Sequence, residues 1–539
     1  MAMSGLDRGR LTAPTVLVCG RAFACTVLLA LAVAGALAAS AGADSAIDLG
    51  TLGGIQWPNN SSGGDESHAR GINDSGEVVG RTTTLHGGDH AFLWTASAGM
   101  VDLGTLGGEN SEAVAIDDSG QVAGEAETAI ASERRSGYGG SCYHAFLWTA
   151  AGGMVDIGPL GYTSYVVAIS QSGQVIGIYY PCQGGHTRAF SWTKAGGFVD
   201  LGTLGGVKSE PTAVNDEGEV TGESETRLGA SEAFSWTQAG GMVGLGTLPG
   251  FTDSNGRAIN DHGEIIGTSS KAFSWTGEGG LIDLGTLPGD NRSEGVAIND
   301  SGQVVGDASG EAPDSVFSWT QAGGMVKVEG LERAVAISDS GEVIGPGGSC
   351  RGATWTQAGG TIALGAVPGY ECAEPVAVND AGQIAGNADG RLEAKEPYPV
   401  AVLWDTTDST STRVTCAPVS VFAGASSRCK ATVTDTEPKA PSAPTGAVTF
   451  TSSGQGSFSA SGCTLAPAGA VTASCQFAYT PSAPTSSPAH TDVITARYSG
   501  DSLHGPSSGV ANVQVLAAAK AVQRCAIGGG AWWLPRCWL

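Results

Sequence analysis

The segment HAFLWTASAGMVDLGTLGGENSEAVAIDDSGQVAG (90–124) decides the fold, because it holds one full period of a repeat. Its opening phrase returns as AFLWT at 145–149 and as AFSWT at 189–193, 233–237 and 272–276. It returns again as VFSWT at 316–320, and in worn form as ATWT at 353–356 and VLW at 402–404. The eight tryptophans so marked are Trp94, Trp148, Trp192, Trp236, Trp275, Trp319, Trp355 and Trp404, about 44 residues apart on average. Each period carries four strand-like phrases: one like MVDLG (100–104), one like AVAID (113–117), one like GQVAG (120–124), and the tryptophan phrase. β-Branched and aromatic residues fill these phrases, and Gly, Asn, Asp or Ser bound them, as in short strands. Four strands per period and eight periods predict an all-β chain whose bulk is an eight-bladed β-propeller. A β-solenoid is the alternative, but its coils are usually shorter and its ends need caps.

The ends of the array predict how it closes. The chain enters at Ile47-Asp48-Leu49-Gly50, a first-strand phrase with no tryptophan before it, and leaves at Trp404 with no such phrase after it. In a ring, residues 47–50 would complete the last blade beside 401–404 and hide both edge strands. The phrases HAFLWT (90–95 and 144–149), GMVDLGTLGG (99–108) and AINDSGQVVG (297–306) resemble the HAF-type extracellular repeat family over residues 47–404. That resemblance implies an exported repeat protein and carries over no catalytic residue. The seventh period departs from it, with Lys327-Val328-Glu329-Gly330 in place of DLGTLGG.

The turn between the second and third phrases is nearly constant: Asn73-Asp74-Ser75-Gly76, Asn215-Asp216-Glu217-Gly218, Asn260-Asp261-His262-Gly263, Asn299-Asp300-Ser301-Gly302. Asn, Asp and Gly supply the positive φ and the local hydrogen bonds of a tight hairpin. The turns lack the spaced ligands and late glutamate of calcium loops. Because strands alternate in direction, both short turns fall at one face of the disc. The variable connections (125–144, 387–400, 268–271) fall at the other, where function is expected. Near that face, four residues before the Ile or Val of each AxAI phrase, stand His68, Glu112, Tyr165, Glu210, Asn255, Glu294, Arg333 and Glu374. Glutamate marks every even period. If these strands line a channel, Glu112, Glu210, Glu294 and Glu374 form a candidate ligand-binding mouth, with raised pKa values or a bound Ca2+. The bland reading is solvated strand ends.

There is no HExxH and no phosphate-cradling glycine loop, and the eight histidines show no ligand spacing. Apart from the possible Ca2+, no cofactor or metal is expected. The net charge of −25 disfavours nucleic acid and anionic membrane surfaces as partners. Arg8, Arg10 and Arg21 precede an apolar run (22–39), and small residues follow at 39–43, so 1–43 reads as a secretory signal. A retained anchor is the alternative, and after cleavage no membrane association is expected. Ten cysteines remain, an even number, and disulfides are the default in an exported chain. In the repeats the candidate pairings are Cys142 with Cys182 and Cys350 with Cys372, although spacing does not fix connectivity.

Composition shifts at the polar linker 405–412. Strand-like runs follow at 414–421, 429–434, 446–451, 474–479, 492–498 and 510–515, a spacing that predicts a β-sandwich over 413–516. The phrases VTCAPVSVFAG (414–424), PTGAVTFTSSG (444–454) and ITARYSGDSLHGPSSG (494–509) resemble bacterial Ig-like repeat domains, which implies a spacer or adhesive module. Cys416 with Cys429, and Cys463 with Cys475, fit local bridges. In the tail 517–539, Cys525 and Cys537 fit a loop. Three readings of function remain open. One is a secreted, non-enzymatic binding or adhesion protein with an extracellular glycan or protein ligand. Another is a propeller enzyme acting on extracellular polysaccharide through carboxylates at the mouth. The last is a purely structural surface protein.

Overall fold

The three phrases ending in the tryptophan motif pair in sequence order, and the next MVDLG phrase adds as the outer strand. In the first period, Ser67–Ile72, Val78–Thr83, Asp89–Thr95 and Gly99–Asp102 form one antiparallel four-stranded sheet. We call such a sheet a unit and number units by their tryptophans. This computed structural model describes residues 46–53, 65–129, 142–310, 314–357, 359–391, 398–406, 410–436, 442–482, 489–501, 504–505 and 507–516. Among them every regular element is a strand. The expected signal segment (1–43), the tail with Cys525 and Cys537, and residues 130–141 and 392–397 of the two longest variable connections lie outside the described residues.

Six propeller-like four-stranded sheets follow one another from Ser67 to Val328. The last two periods run together as one eight-stranded sheet, because Arg351 bridges Ala373 in parallel. The outer strand of the last period comes from the other end of the array: Ile47 stands opposite Leu403, and Asp48 opposite Val402. Among the described residues no sheet closes on itself as a barrel.

Alternation explains the packing. Along Val78–Thr83 and Asp89–Thr95, successive side chains point to opposite faces. Val78, Phe92 and Trp94 pack with Ala385, Ala401 and Leu403 of unit 8, while Val79, Ala91 and Leu93 pack with Val122 and Phe146 of unit 2. The same division recurs around the array, so each apolar core belongs to two neighbouring sheets. The second strand is longer than its five-residue phrase, reaching ten residues in Gly107–Ile116. It also carries a bulge that the phrase did not disclose. Pairing shifts between Ala69 and Gly71, Ala113 and Ala115, Val166 and Ala168, and at the matching place in units 4, 5, 6 and 8. Such bulges bend a strand and re-aim the residues beside them.

Beyond Asp405, two five-stranded sheets share one core that includes Val414, Val433, Phe450, Phe477, Tyr479, Ile494 and Tyr498. The single strand expected at 414–421 is two strands on different sheets, Thr410–Ala417 and Ser420–Phe422. Pro418, which has no N–H to give a ladder, lies between them. The first of these begins at Thr410, inside the expected linker, where it pairs with Asp435. Four expected disulfides are present: Cys142–Cys182, Cys350–Cys372, Cys416–Cys429 and Cys463–Cys475.

Candidate functional site

The two ends of the repeat array are built differently. At the end with constant turns, each turn folds on its opening residue, an asparagine in five units and Asp117, Ser170 or Ser338 in the other three. Asn73 Oδ1 accepts from the backbone N–H groups of Ser75 and Glu77, at 3.1 and 3.0 Å, and Gly76 takes φ 73°. Asn73 Nδ2 then reaches across to the Asp117 carbonyl of the next unit at 3.0 Å. The residue after each turn-opening residue completes a circuit. The backbone N–H of Asp74 donates to the Asp118 carboxylate, Asp118 to Gln171, Gln171 to Asp216 and Asp216 to Asp261. Asp261 donates to Asp300, Asp300 to Asp339, Asp339 to Asp380, and Asp380 back to Asp74, all between 2.7 and 3.0 Å.

Seven carboxylates and one amide thus surround a cavity of about 390 Å³. Burial, then the charges of its neighbours, raises the pKa of Asp74, and Asp216 and Asp380 are raised in the same way. One oxygen of each carboxylate is spent on a backbone N–H. Among the described residues, no three acidic, histidine or cysteine side chains converge closely enough to hold a metal ion. The circuit is a latch between units, and reading the turns only as hairpins missed it. The missing signal was the Asp, or Gln171, that follows each turn-opening residue.

At the variable end, the four predicted glutamates do not meet as bare like charges. Glu112 accepts from Arg70 Nε at 2.6 Å, with Arg81 Nε at 3.8 Å. Glu294 pairs with Arg257, and Glu374 with Arg333 at 3.1 Å. Arg70, Arg257 and Arg333 each come from the preceding unit, so repulsion is offset at three of the four positions. Before Glu210 the corresponding places hold Tyr165 and Val167, and among the described residues no arginine pairs with it. His68 and Asn255, the remaining polar members of the row, stand opposite Arg81 and Thr268.

The partners that sequence reading missed lie directly across on the third strand. Glu112 faces Glu125, Glu210 faces Glu223, Glu294 faces Asp307 and Glu374 faces Asn387. Each partner stands thirteen positions after its glutamate, a constant offset that the sequence already contained. These side chains also clasp the next unit. Asp307 Oδ1 accepts from Ala334 N at 2.9 Å, Asn387 Oδ1 from Ala69 N at 2.7 Å, and Glu223 Oε2 from Asn255 Nδ2 at 3.0 Å. Glu125 is the extreme case. Burial, then the Glu112 charge, pushes its pKa up to about 8, against the Val166 N–H and Arg70, and its Oε2 is sealed without a hydrogen-bond partner. Burial likewise raises Asp307.

Three cavities of about 400, 470 and 780 Å³ run together along units 4 to 7. The first shares Glu223 and Ser231 with the second, and the second shares Thr268, Ser270 and Glu294 with the third. Carboxylates, hydroxyls and the guanidiniums of Arg257, Arg292 and Arg333 alternate along this groove, and Phe251 lies at its rim.

In the C-terminal sheets, Ser442, His504 and Asp501 have the spacing of a nucleophilic triad. Ser442 Oγ is 3.2 Å from His504 Nε2, and His504 Nδ1 is 2.7 Å from Asp501 Oδ1. But Nε2 is also 3.2 Å from the Ser442 carbonyl and 3.9 Å from an Asp435 carboxylate oxygen. Both are acceptors, so the serine hydroxyl is not the sole neighbour of Nε2. The buried imidazole ties together the segments that carry Ser442, Asp501 and Asp435.

No protein-family model matches the chain, and no curated protein matches it. Among solved structures it is similar to an oligogalacturonate lyase in complex with manganese, at 10% identity and TM-score 0.37, over 67% of this chain and 98% of that one. It is also similar to TolB from Acinetobacter baumannii, at 12% identity and TM-score 0.30, over 56% of this chain and 79% of that one. A gluconolactonase from Xanthomonas campestris aligns at 11% identity and TM-score 0.25, over 49% of this chain and 87% of that one. At these scores the likenesses bear on no activity.

Proposed function

We propose that this is an exported binding protein: an eight-bladed, HAF-type propeller closed by residues 47–50, followed by an Ig-like spacer, that holds an extracellular saccharide on its variable face. The observation that carries this reading is the contrast between the two ends. One is spent on a circuit of hydrogen bonds through eight successive periods, and the other carries a continuous polar groove. The circuit and the Ile47–Leu403 pairing support the closed ring. Four disulfides fit an oxidising compartment. Saccharide hydroxyls both donate and accept, which matches a lining of alternating carboxylates and guanidiniums better than a purely cationic or anionic ligand would.

Calorimetry of the full chain against an oligosaccharide panel tests the proposal. At least one oligosaccharide should bind, and Glu223→Gln or Arg257→Ala should weaken it about tenfold, as loss of a charge-assisted hydrogen bond does. Asp216→Asn, at the latched end, should leave affinity unchanged. Binding indifferent to the groove variants, or no binding at all, overturns the proposal.

A second reading, hydrolysis of the bound chain, draws on Glu112 and Glu125. One is held beside Arg70, and the other is kept protonated at neutral pH, as an acid–base pair requires. Release of reducing ends, lost in both Glu112→Gln and Glu125→Gln, is the result it needs. Binding without such release leaves the first reading alone.

A further inference from the structure

We infer that the middle cavity of the groove, at units 4 and 5, takes a free amino group of the saccharide, its ammonium held by Glu223, Asn255 and Thr268. This rests on the proposed saccharide binding and names the class of sugar. The anchor is Glu223, which borders both the first and the second cavity. Ser231 Oγ and Asn255 Nδ2 both donate to its Oε2, each at 3.0 Å. Its Oε1 is left to the groove.

Asn255 and Thr268 supply two further acceptors. They stand opposite each other on neighbouring strands of unit 5, and both line the second cavity. Asn255 Nδ2 is given to a carboxylate, which only accepts, so the amide orientation is set and Oδ1 is the open end. Asn255 Oδ1 and Thr268 Oγ1 are both shut off from solvent, and neither has a hydrogen-bond partner. A buried polar atom without a partner is costly, and two on facing residues call for a reason.

The scaffold does not supply one. At three other seams the residue matching Thr268 is longer and clasps the next unit. Glu125, Asp307 and Asn387 accept the N–H groups of Val166, Ala334 and Ala69. Thr268 Oγ1 makes no such bond, and Thr268 also lines the third cavity. The clasp is therefore missing where the second and third cavities meet. Asn255 and Thr268 are only partly buried. In the bound state, rotation about the Thr268 χ1, which exchanges hydroxyl and methyl, brings Oγ1 to the ligand beside Asn255 Oδ1.

Charge selects the ligand. Glu112, Glu294 and Glu374 each have an arginine. Among the described residues no lysine or arginine pairs with Glu210, Glu223 or Asp253, which line the first two cavities. Hydrogen bonds from the Thr252 hydroxyl and the Ser231 N–H hold Asp253 below the usual carboxylate range, so it is charged at neutral pH. Arg257, the cation that lines the second cavity, is taken by Glu294. An ammonium donates three hydrogen bonds and accepts none, which suits a wall of acceptors. The net charge of −25 draws a cation in and repels an anion. Phe251 at the rim offers an apolar platform for the C–H face of the pyranose that carries the amine, a face that a bare polyamine lacks.

The test is calorimetry of the full chain with three oligosaccharides of one length and linkage: oligomers of 2-amino-2-deoxyglucose, their N-acetylated counterparts and plain glucose oligomers, with spermidine alongside. The free amine should bind at least tenfold tighter than the other two, as a charge-assisted contact does, and the advantage should shrink as salt is raised. Glu223→Gln should bring the amine and its N-acetylated form to within about twofold of each other. Thr268→Val, which removes the hydroxyl at nearly constant volume, should cut the advantage about threefold. Each effect is a ratio of two ligands on one protein, so partial misfolding does not imitate it. Neutral or N-acetylated oligomers bound as tightly as the amine overturn the ammonium site and leave the saccharide groove standing. A preference for the amine that neither variant moves overturns its location. Spermidine bound as tightly as the amino-oligosaccharide overturns the sugar as the ligand, and failure of every saccharide overturns both readings.

Discussion

Asp216 shows what a single side chain does at the latched end. Its Oδ1 accepts the Gln171 N–H at 2.7 Å, while burial and the charges of Asp261 and Asp300 raise its pKa. A carboxyl raised in the folded state binds its proton more tightly there than in the unfolded chain. Its contribution is fully present below the unfolded value of about 4 and is lost as pH rises through the folded value. Asp216→Asn keeps the acceptor and removes the charge. We expect it to raise Tm by on the order of 1 °C at pH 7, an advantage that fades as pH approaches 4. Gln171→Glu puts a charge at the one neutral position and should shift Tm the other way. Thermal melts of both variants across pH 4–8 check the sign. A pH-independent change in either would mean that charge is not the cause.

At the scale of the strand, the third-strand glycine is where two elements approach most closely. A Cβ at Gly306 would overlap the Glu294 carbonyl oxygen on the second strand and come within 2.8 Å of the Phe317 ring on the fourth. Phe317 is fully buried, as are Phe92, Phe146, Phe190, Phe234 and Phe273. The glycine is thus demanded by a buried ring packed over the backbone. Gly306→Ala should cost about 3 kcal/mol or more, because the ring cannot move aside into a packed interior. Urea unfolding and soluble yield measure it, and a variant of wild-type stability would contradict the packing. The outer strands carry the opposite logic. They are only four to six residues long in units 1 to 7. Six of these seven bear an exposed aliphatic such as Val101, Val155 or Ile282, and such short edges offer little template for pairing with another chain.

For the molecule as a whole, the meeting of the two ends of the array is the point most open to attack. Leu49 is 5% exposed and packs with Leu403 and Trp94. Its burial is worth about 2 kcal/mol. Removing residues 46–50 strips the outer strand from Val400–Asp405 and exposes that edge. We expect Tm to fall by roughly 5 °C or more, with aggregation that grows with concentration. Light scattering during the melt reads the second effect, and an unchanged melt would show that the pairing does not hold the array together.

Strands and their order were legible in the sequence because each strand repeats a local pattern: β-branched and aromatic residues between turn formers, eight times over. The pairing of Ile47 with Leu403 was legible too, since only one phrase was left without a neighbour. The candidate site was legible in part. Glu112, Glu210, Glu294 and Glu374 stand out as a period-two mark, but whether carboxylates repel or are paired depends on what the preceding unit offers. That is Arg70, Arg257 or Arg333 in three cases and none in the fourth. Cross-strand register brought in Glu125, Glu223, Asp307 and Asn387, and contact between periods turned the hairpin aspartates into a latch. A repeat determines its own local structure. Which side chains meet across a seam is decided only when neighbouring sheets pack, because those contacts join residues about forty positions apart.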